Sequence, residues 1–322
     1  MLILAVDSGT TSTRVHVVED ARIRGEAAGL GGARDLTQSR DRAWLENRVW
    51  EIADSALRDA EAEWADTDAL VGFGMITSEL GLQEVPHLDA PIPMDHLARS
   101  LQPLERAERF GAPFSLIPGV RSLGPSFHQT DFMRGEETEV AGLLGSGDVS
   151  PPFLLLSPGS HTKYVFVDVG DVIRWSTTTL TGELLWALHR ETILADLIDP
   201  DGPLEDPERV AQGAASVEEV GFARALFTAR LLNRVDGESP GACSDFVHGI
   251  VAMADLLSLR KVIDVRGCST GSVVLTGKSP LASAYEQLLA REPWVSNVEH
   301  LPGPIGALGA WHLYKASRKT AA

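Results

Sequence analysis

Two short turns in this sequence carry the residue types that bind polyphosphate. The first joins Asp7 to Ser8, Gly9, Thr10, Thr11 and Ser12, between an apolar run at 2–6 and an alternating run at 13–19. The second, at 157–163, holds Ser157, Gly159, Ser160, His161, Thr162 and Lys163 between similar flanks. Phosphate chains are held by converging backbone N–H groups, hydroxyls and a cation, in turns where no Cβ blocks close approach. Arg14 or Lys163 can supply the positive charge. Asp7 suits Mg²⁺ reached through water, because that ion keeps much of its hydration shell. A polar surface hairpin would by itself produce the first turn, but a second copy at the start of the second half argues for a ligand. The sequence lacks GxxxxGK[ST] and an early GxGxxG on a βα unit, which excludes a Walker loop and weighs against a Rossmann site.

The elements that must position these turns follow from periodicity. Alternation predicts three strands, at 2–6, 13–19 and 23–30, joined as a meander. Trp44, Leu45, Val49, Ile52, Ala53 and Leu57 recur at helical spacing within 42–64. A buried-type strand is expected at 69–76, another at 114–120, and a helix starting at Glu136. The turn-rich stretch 145–152 marks a boundary, giving domains 1–148 and 149–322. Beyond it the pattern restarts. Gly9 falls on Gly159, Val15 on Val165, Val17 on Val167, Ile23 on Ile173 and Arg24 on Arg174, all at a single offset. Residues 305–319 form a terminal amphipathic helix whose host domain the pattern leaves open.

Length and composition set the outer limits. A chain of 322 residues has enough material for two cores. With 28 basic against 45 acidic residues, the net charge of −17 argues against nucleic acid or an anionic membrane as partner. Cys243 and Cys268 make no disulfide framework and have no metal-ligand spacing, so a reducing compartment is expected. The chain opens in a strand rather than a signal-like segment, and no apolar run nears the ~20 residues of a membrane span. The expectation is a cytoplasmic protein; a homodimer is compatible with the sequence.

DSGTTSTR (7–14) resembles the first phosphate loop of the actin/hexokinase/Hsp70 superfamily, close to the form in glycerol kinase-like sugar kinases. GMITS (74–78), MRGEET (133–138), PGSHTKY (158–164) and TGEL (181–184) resemble, in order and spacing, the 2-dehydro-3-deoxygalactonokinase family. VVLTGKSPLASAY (273–285) resembles the superfamily's adenosine loop. The resemblance implies an α/β fold of two ribonuclease H-like (actin-like ATPase) domains flanking a nucleotide cleft. It implies ATP and Mg²⁺ as cofactors and phosphorylation of a small sugar acid, 2-dehydro-3-deoxy-D-galactonate, at its 6-hydroxyl.

Carried over position by position, the resemblance assigns ATP to Asp7, Gly9, Thr10, Thr11, Ser12, Gly159, Ser160, His161, Thr162, Lys163, Thr181, Gly182, Gly277 and Lys278. It assigns the sugar to Met75, Thr77, Ser78 and Arg134. Related kinases place their catalytic base at a helix start before the second phosphate loop, which here points to Glu136, then Asp131, with Arg134 orienting the acid. An acid at a helix start also favours the helix electrostatically, without any catalytic role. Several positions depart from the family pattern: Ser8 stands where Trp is usual, and Thr77, Glu79 and Leu80 replace Gly, Arg and Gln. Those near 77–83 bear on the sugar more than on phosphotransfer. The alternatives are a kinase for another sugar or sugar acid on this fold, and a non-catalytic actin-like nucleotide-binding protein.

Overall fold

The structure, a computed structural model, describes residues 1–9, 12–30 and 42–320. In chain order its strands and α-helices are β1 (Leu2–Ser8), β2 (Ser12–Glu19), β3 (Arg22–Leu30), α1 (Arg42–Asp59), β4 (Ala69–Gly74), β5 (Leu88–Ala90), β6 (Ile92–Pro93), α2 (Met94–Arg99) and β7 (Gln102–Pro103). There follow β8 (Phe114–Leu116), β9 (Val120–Ser122), β10 (Asp131–Met133), α3 (Glu136–Ser146), β11 (Phe153–Ser157), β12 (Thr162–Asp168), β13 (Val172–Thr179) and α4 (Thr181–Glu191). The last are α5 (Pro207–Val220), α6 (Phe222–Arg234), α7 (Pro240–Arg266), β14 (Ser272–Thr276), α8 (Pro280–Leu289), β15 (Asn297–Leu301) and α9 (Ile305–Thr320). No helix among the described residues is long and apolar enough to cross a membrane.

The chain forms two compact units: Met1–Pro151 with Val167–Ser176 and Pro304–Ala322, and Pro152–Phe166 with Thr177–Gly303. In the first, the sheet runs β3-β2-β1-β4-β8-β7. β1 is antiparallel to β2 and parallel to β4, so it lies inside the sheet, and its residues Ile3 to Val6 are fully buried. A strand covered on both faces needs a continuous apolar run, which is what Leu-Ile-Leu-Ala-Val provides. Helix α1 lays Leu45, Val49, Ile52, Ala53, Ala56 and Leu57 into one core with Leu4, Val6, Val15 and Val17. It stops at Asp59, short of the expected 64. Glu61 turns left-handed at φ 52°, and Ala62 N–H donates back to Leu57 O at 2.9 Å, which closes the helix end. A three-stranded sheet, β10-β9-β5, and the pairing of β13's first residues with β6 complete this unit.

The second unit repeats the plan. Its strands belong to a sheet that runs β15-β14-β11-β12-β13-β6, with β11 parallel to β14 and β14 to β15. The order β3-β2-β1-β4 along the first sheet recurs as β13-β12-β11-β14 along the other, a 3-2-1-4 sequence of strands that is the ribonuclease H-like arrangement. The internal repeat read from Gly9/Gly159 and its companion pairs is a repeat of topology, with β2 and β12 starting at the matched residues Ser12 and Thr162.

The terminal helix, whose host domain the sequence pattern leaves open, is grouped with the first unit. Helix α9 packs along α3 so closely that a Cβ on Gly309 would fall 1.8 Å from Thr138 O. Its Trp311 Nε1–H donates to Met1 O at 3.2 Å. Close packing of this kind depends on which small residues face each other across two helices, and amphipathic spacing alone carries no such information. Gly309→Ala should therefore lower stability by about 2 kcal/mol or more, since neither backbone can move freely. Gly241→Ala, whose nearest neighbour would be Ser239 Oγ at 3.9 Å, should be neutral or mildly stabilising. Urea titrations of the two variants beside wild type check the contrast.

Candidate functional site

In the first unit, parallel pairing sets Ser8 opposite Gly74 and Asp7 opposite Phe73. The first turn and the GMITS segment therefore leave the sheet side by side. Gly74 has φ 76°, and a Cβ there would lie 2.7 Å from Ser8 O and 3.4 Å from Asp7 Oδ1. This explains why the strand expected to reach 76 ends at 74: the chain turns left-handed and enters a single helical turn, Met75–Thr77. Gly9 N–H donates to Ser12 O at 2.9 Å to close the first turn. Thr13 Oγ1 donates to the buried Ser8 Oγ at 3.1 Å. Thr10 and Thr11 lie outside the described residues. Burial pushes the Asp7 carboxyl up to about 6, against the pull of Arg14, its cross-strand partner.

Helix α3 starts against the same spot, since a Cβ on Gly135 would be 3.8 Å from Gly74 Cα. Glu136 is its first residue, as the sequence predicts. Glu137, which the sequence reading did not single out, is fully buried. Gly135 N–H donates to both of its carboxylate oxygens at 2.9 Å, and Thr138 Oγ1 donates to Oε1 at 3.0 Å. Burial, reinforced by the neighbouring charge of Glu136, still pushes Glu137 up to about 8.

Arg134 ties the two segments together. It donates through Nη1 to Thr77 Oγ1 at 2.8 Å and through Nη2 to Val85 O at 2.8 Å, and lies 3.4 Å from His87 Nδ1. Burial lowers its pKa, while Glu137 and Glu84 oppose that shift. Thr77 in turn donates to Gly74 O at 3.0 Å, and Ser78 Oγ to Met75 O at 2.7 Å. Both hydroxyls thus shape the turn, and Met75 is half-buried beside them. Asp131 sits on β10 and accepts from Ser176 Oγ at 2.7 Å, which gives it a role in joining strands.

The second unit gathers the other predicted segments. Gly159, Ser160 and His161 form an exposed turn, and α4 begins directly on it. A Cβ on Gly182 would lie 2.0 Å from Gly159 O, and Glu183 N–H donates to Ser160 O at 2.9 Å. Glycine at 182 is therefore needed for space. His161 Nε2 is 3.5 Å from Glu183 Oε1. Lys163 is buried and its Nζ donates to Thr178 Oγ1 at 2.7 Å. Gly277, at φ 83°, passes within 3.7 Å of Pro158 O, measured from where a Cβ would sit. His300 Nε2–H holds the Gly277 carbonyl at 2.8 Å, and Ser279 Oγ accepts from Ala282 N–H at 3.1 Å to cap α8. Lys278 is exposed. Thr162 and Thr181 are buried, and their hydroxyls join a network around Asp255, a residue with no signal in the local sequence.

Known proteins resemble this chain in sequence and in fold. Residues 7–300 match the family described as 2-keto-3-deoxy-galactonokinase. The chain is 23% identical over 294 residues to the 2-dehydro-3-deoxygalactonokinase of Escherichia coli K12, covering 88% of each sequence. It superposes on a Sinorhizobium meliloti protein assigned as a 2-dehydro-3-deoxygalactonokinase with a TM-score of 0.74 at 20% identity, over 99% of both chains. The activator of 2-hydroxyisocaproyl-CoA dehydratase from Clostridium difficile, solved with ADPNP, gives a TM-score of 0.53 at 12% identity, over 100% of this chain and 97% of that one.

The Asp7 shift has a sign that can be checked. A carboxyl whose folded pKa is raised binds its proton more tightly in the native state, so stability declines as pH rises from about 3.8 to about 6 and is flat above. Asp7→Asn has no such decline. It should be the more stable protein at pH 7.5, by no more than about 3 kcal/mol, with the gap closing towards pH 4. Urea unfolding across that pH range measures it; a gap that stays constant would contradict burial as the cause.

Proposed function

The chain belongs to the 2-keto-3-deoxy-galactonokinase family and is a sugar kinase; from that premise we propose that it transfers the γ-phosphoryl group of ATP to the 6-hydroxyl of 2-dehydro-3-deoxy-D-galactonate. Family membership sets aside the non-catalytic reading. One observation carries the finer assignment: segments far apart in sequence meet at one place in the first unit. Asp7 ends β1, Gly74 turns beside it, Gly135 abuts Gly74, and Arg134 reaches Thr77.

In this reading the sugar's 6-oxygen attacks the γ-phosphorus while the bond to the ADP oxygen breaks. An alcohol is too weak an acid to ionise first, so its proton passes to Glu136 within the transition state. Arg134 holds the 133–135 segment against the GMITS turn and so sets the position of Glu136, while Met75, Thr77 and Ser78 frame the sugar. In each unit the predicted turn is assigned to phosphate: the backbone of Gly9 and Ser12 in the first, and that of Gly159 and Ser160, with His161 and Lys163, in the second. Thr181, Gly182, Gly277 and Lys278 serve the remainder of the nucleotide. The ADPNP held by the C. difficile activator supports a nucleotide on this fold.

Asp7 fits a hard cation, because burial outweighs the pull of Arg14 on its carboxylate and a further positive charge would offset that desolvation. Among the described residues no group of three His, Cys, Asp or Glu side chains could hold a metal ion, so Asp7 would reach Mg²⁺ through water. When bound, Mg²⁺ neutralises charge on the phosphate oxygens.

ATP consumption with 2-dehydro-3-deoxygalactonate, its gluconate epimer and a panel of other sugar acids tests the assignment. The galactonate should give the highest kcat/KM, and NMR of the product should place phosphate on the 6-oxygen. Glu136→Gln should lower kcat by about 10²–10⁴-fold with the fold intact, and Asp7→Ala should also abolish most turnover. ADP release that does not depend on a sugar acid, or faster turnover of another acceptor, would overturn it.

A further inference from the structure

We infer that Asp255, in the long helix α7, is a positioning residue for the nucleotide: its carboxylate ties together the three segments assigned to ATP in the second unit. Thr179 Oγ1 donates to Asp255 Oδ2 at 2.7 Å, and Tyr285 OH donates to the same oxygen. Thr181 Oγ1 donates to Thr179 Oγ1 at 3.1 Å, while the Tyr285 hydroxyl also lies 3.4 Å from Thr162 Oγ1. Asp255, Thr162, Thr181 and Tyr285 are all buried. One carboxylate thus anchors the first residue of β12, the last of β13, the first turn of α4 and the body of α8.

Each of these anchors fixes a backbone assigned to ATP. Thr162 ends the 157–161 turn. Thr181 sets the start of α4, whose Gly182 has room for hydrogen alone against Gly159 O and whose Glu183 N–H holds Ser160 O at 2.9 Å. Tyr285 lies on α8, whose capping residue Ser279 closes the loop that begins at Gly277. A buried acid that accepts from two hydroxyls in low dielectric makes stronger bonds than an amide would, and loses most when one partner is removed. The network touches no residue assigned to the sugar. Its loss should therefore weaken nucleotide binding and leave the acceptor alone.

This inference rests on the proposed use of ATP, and its test separates the two. Calorimetric titration of wild type with Mg²⁺-ADP comes first; no binding would overturn the nucleotide reading and this inference with it. Given binding, Asp255→Asn should weaken ADP affinity by about tenfold. It should raise the KM for ATP by a similar factor, while the KM for the sugar acid stays within twofold. Tyr285→Phe and Thr179→Val each remove one donor and should shift ADP affinity the same way by a smaller factor, which keeps the test open if Asp255→Asn fails to fold. Unchanged ADP affinity in the folded variants would overturn the inference. So would ATP and acceptor KM values that rise together, because a merely structural defect moves both.

Discussion

Parallel pairing of each unit's first strand with its fourth is the constraint that decides which segments lie beside each unit's first turn. Parallel neighbours run in one direction, so whatever leaves their carboxyl ends emerges together. Pairing of β1 with β4 sets Ser8 against Gly74 and so lays the first turn beside GMITS. Pairing of β11 with β14 matches Leu156 with Leu275 and lays the second turn beside the Gly277 loop. Neither turn has the length to bring those partners in by itself. The sheet does it, and the antiparallel meander on one side leaves the other side of the first strand open for that partner.

Burying acids is the electrostatic theme of the molecule. Asp7, Glu137 and Asp255 are all shifted upward, with desolvation as the first cause. They are compensated differently. Glu137 takes two hydrogen bonds from Gly135 N–H and one from Thr138, and through them shapes the start of α3. Asp255 takes hydroxyl donors from separate elements and so joins them. Asp7 feels the opposing charge of Arg14, its cross-strand partner, which does not overcome burial.

Much of this was legible in the sequence because its signals are local. Alternation marks β2, a continuous apolar run marks β1, and Ser279 before Pro280 marks the start of α8. The repeat at one offset was real because each unit rebuilds the same three-strand meander. Other features depend on partners far away in the chain. Arg134 and Thr77 are separated by 57 positions and Asp255 and Thr179 by 76, and nothing in either neighbourhood names the other. The glycine of TGEL also answers to a contact that its neighbourhood in sequence does not show, since it has no space for a Cβ against Gly159 O. The buried hydroxyls of Thr162 and Thr181 join a network with Tyr285 and Thr179, partners that no local pattern announces. Even the extent of β4 was decided by the left-handed turn at Gly74 rather than by its apolar run.

The placement of α9 bears on how a ribosome makes this protein. The first unit includes residues 304–322, which are synthesised after every residue of the second. Thr138 and Met1 wait for Gly309 and Trp311, so the amino-terminal unit stays unfinished while the later one has all its own strands and helices in hand. Domains usually mature in the order in which they leave the exit tunnel; here the last one completed is the one that began first.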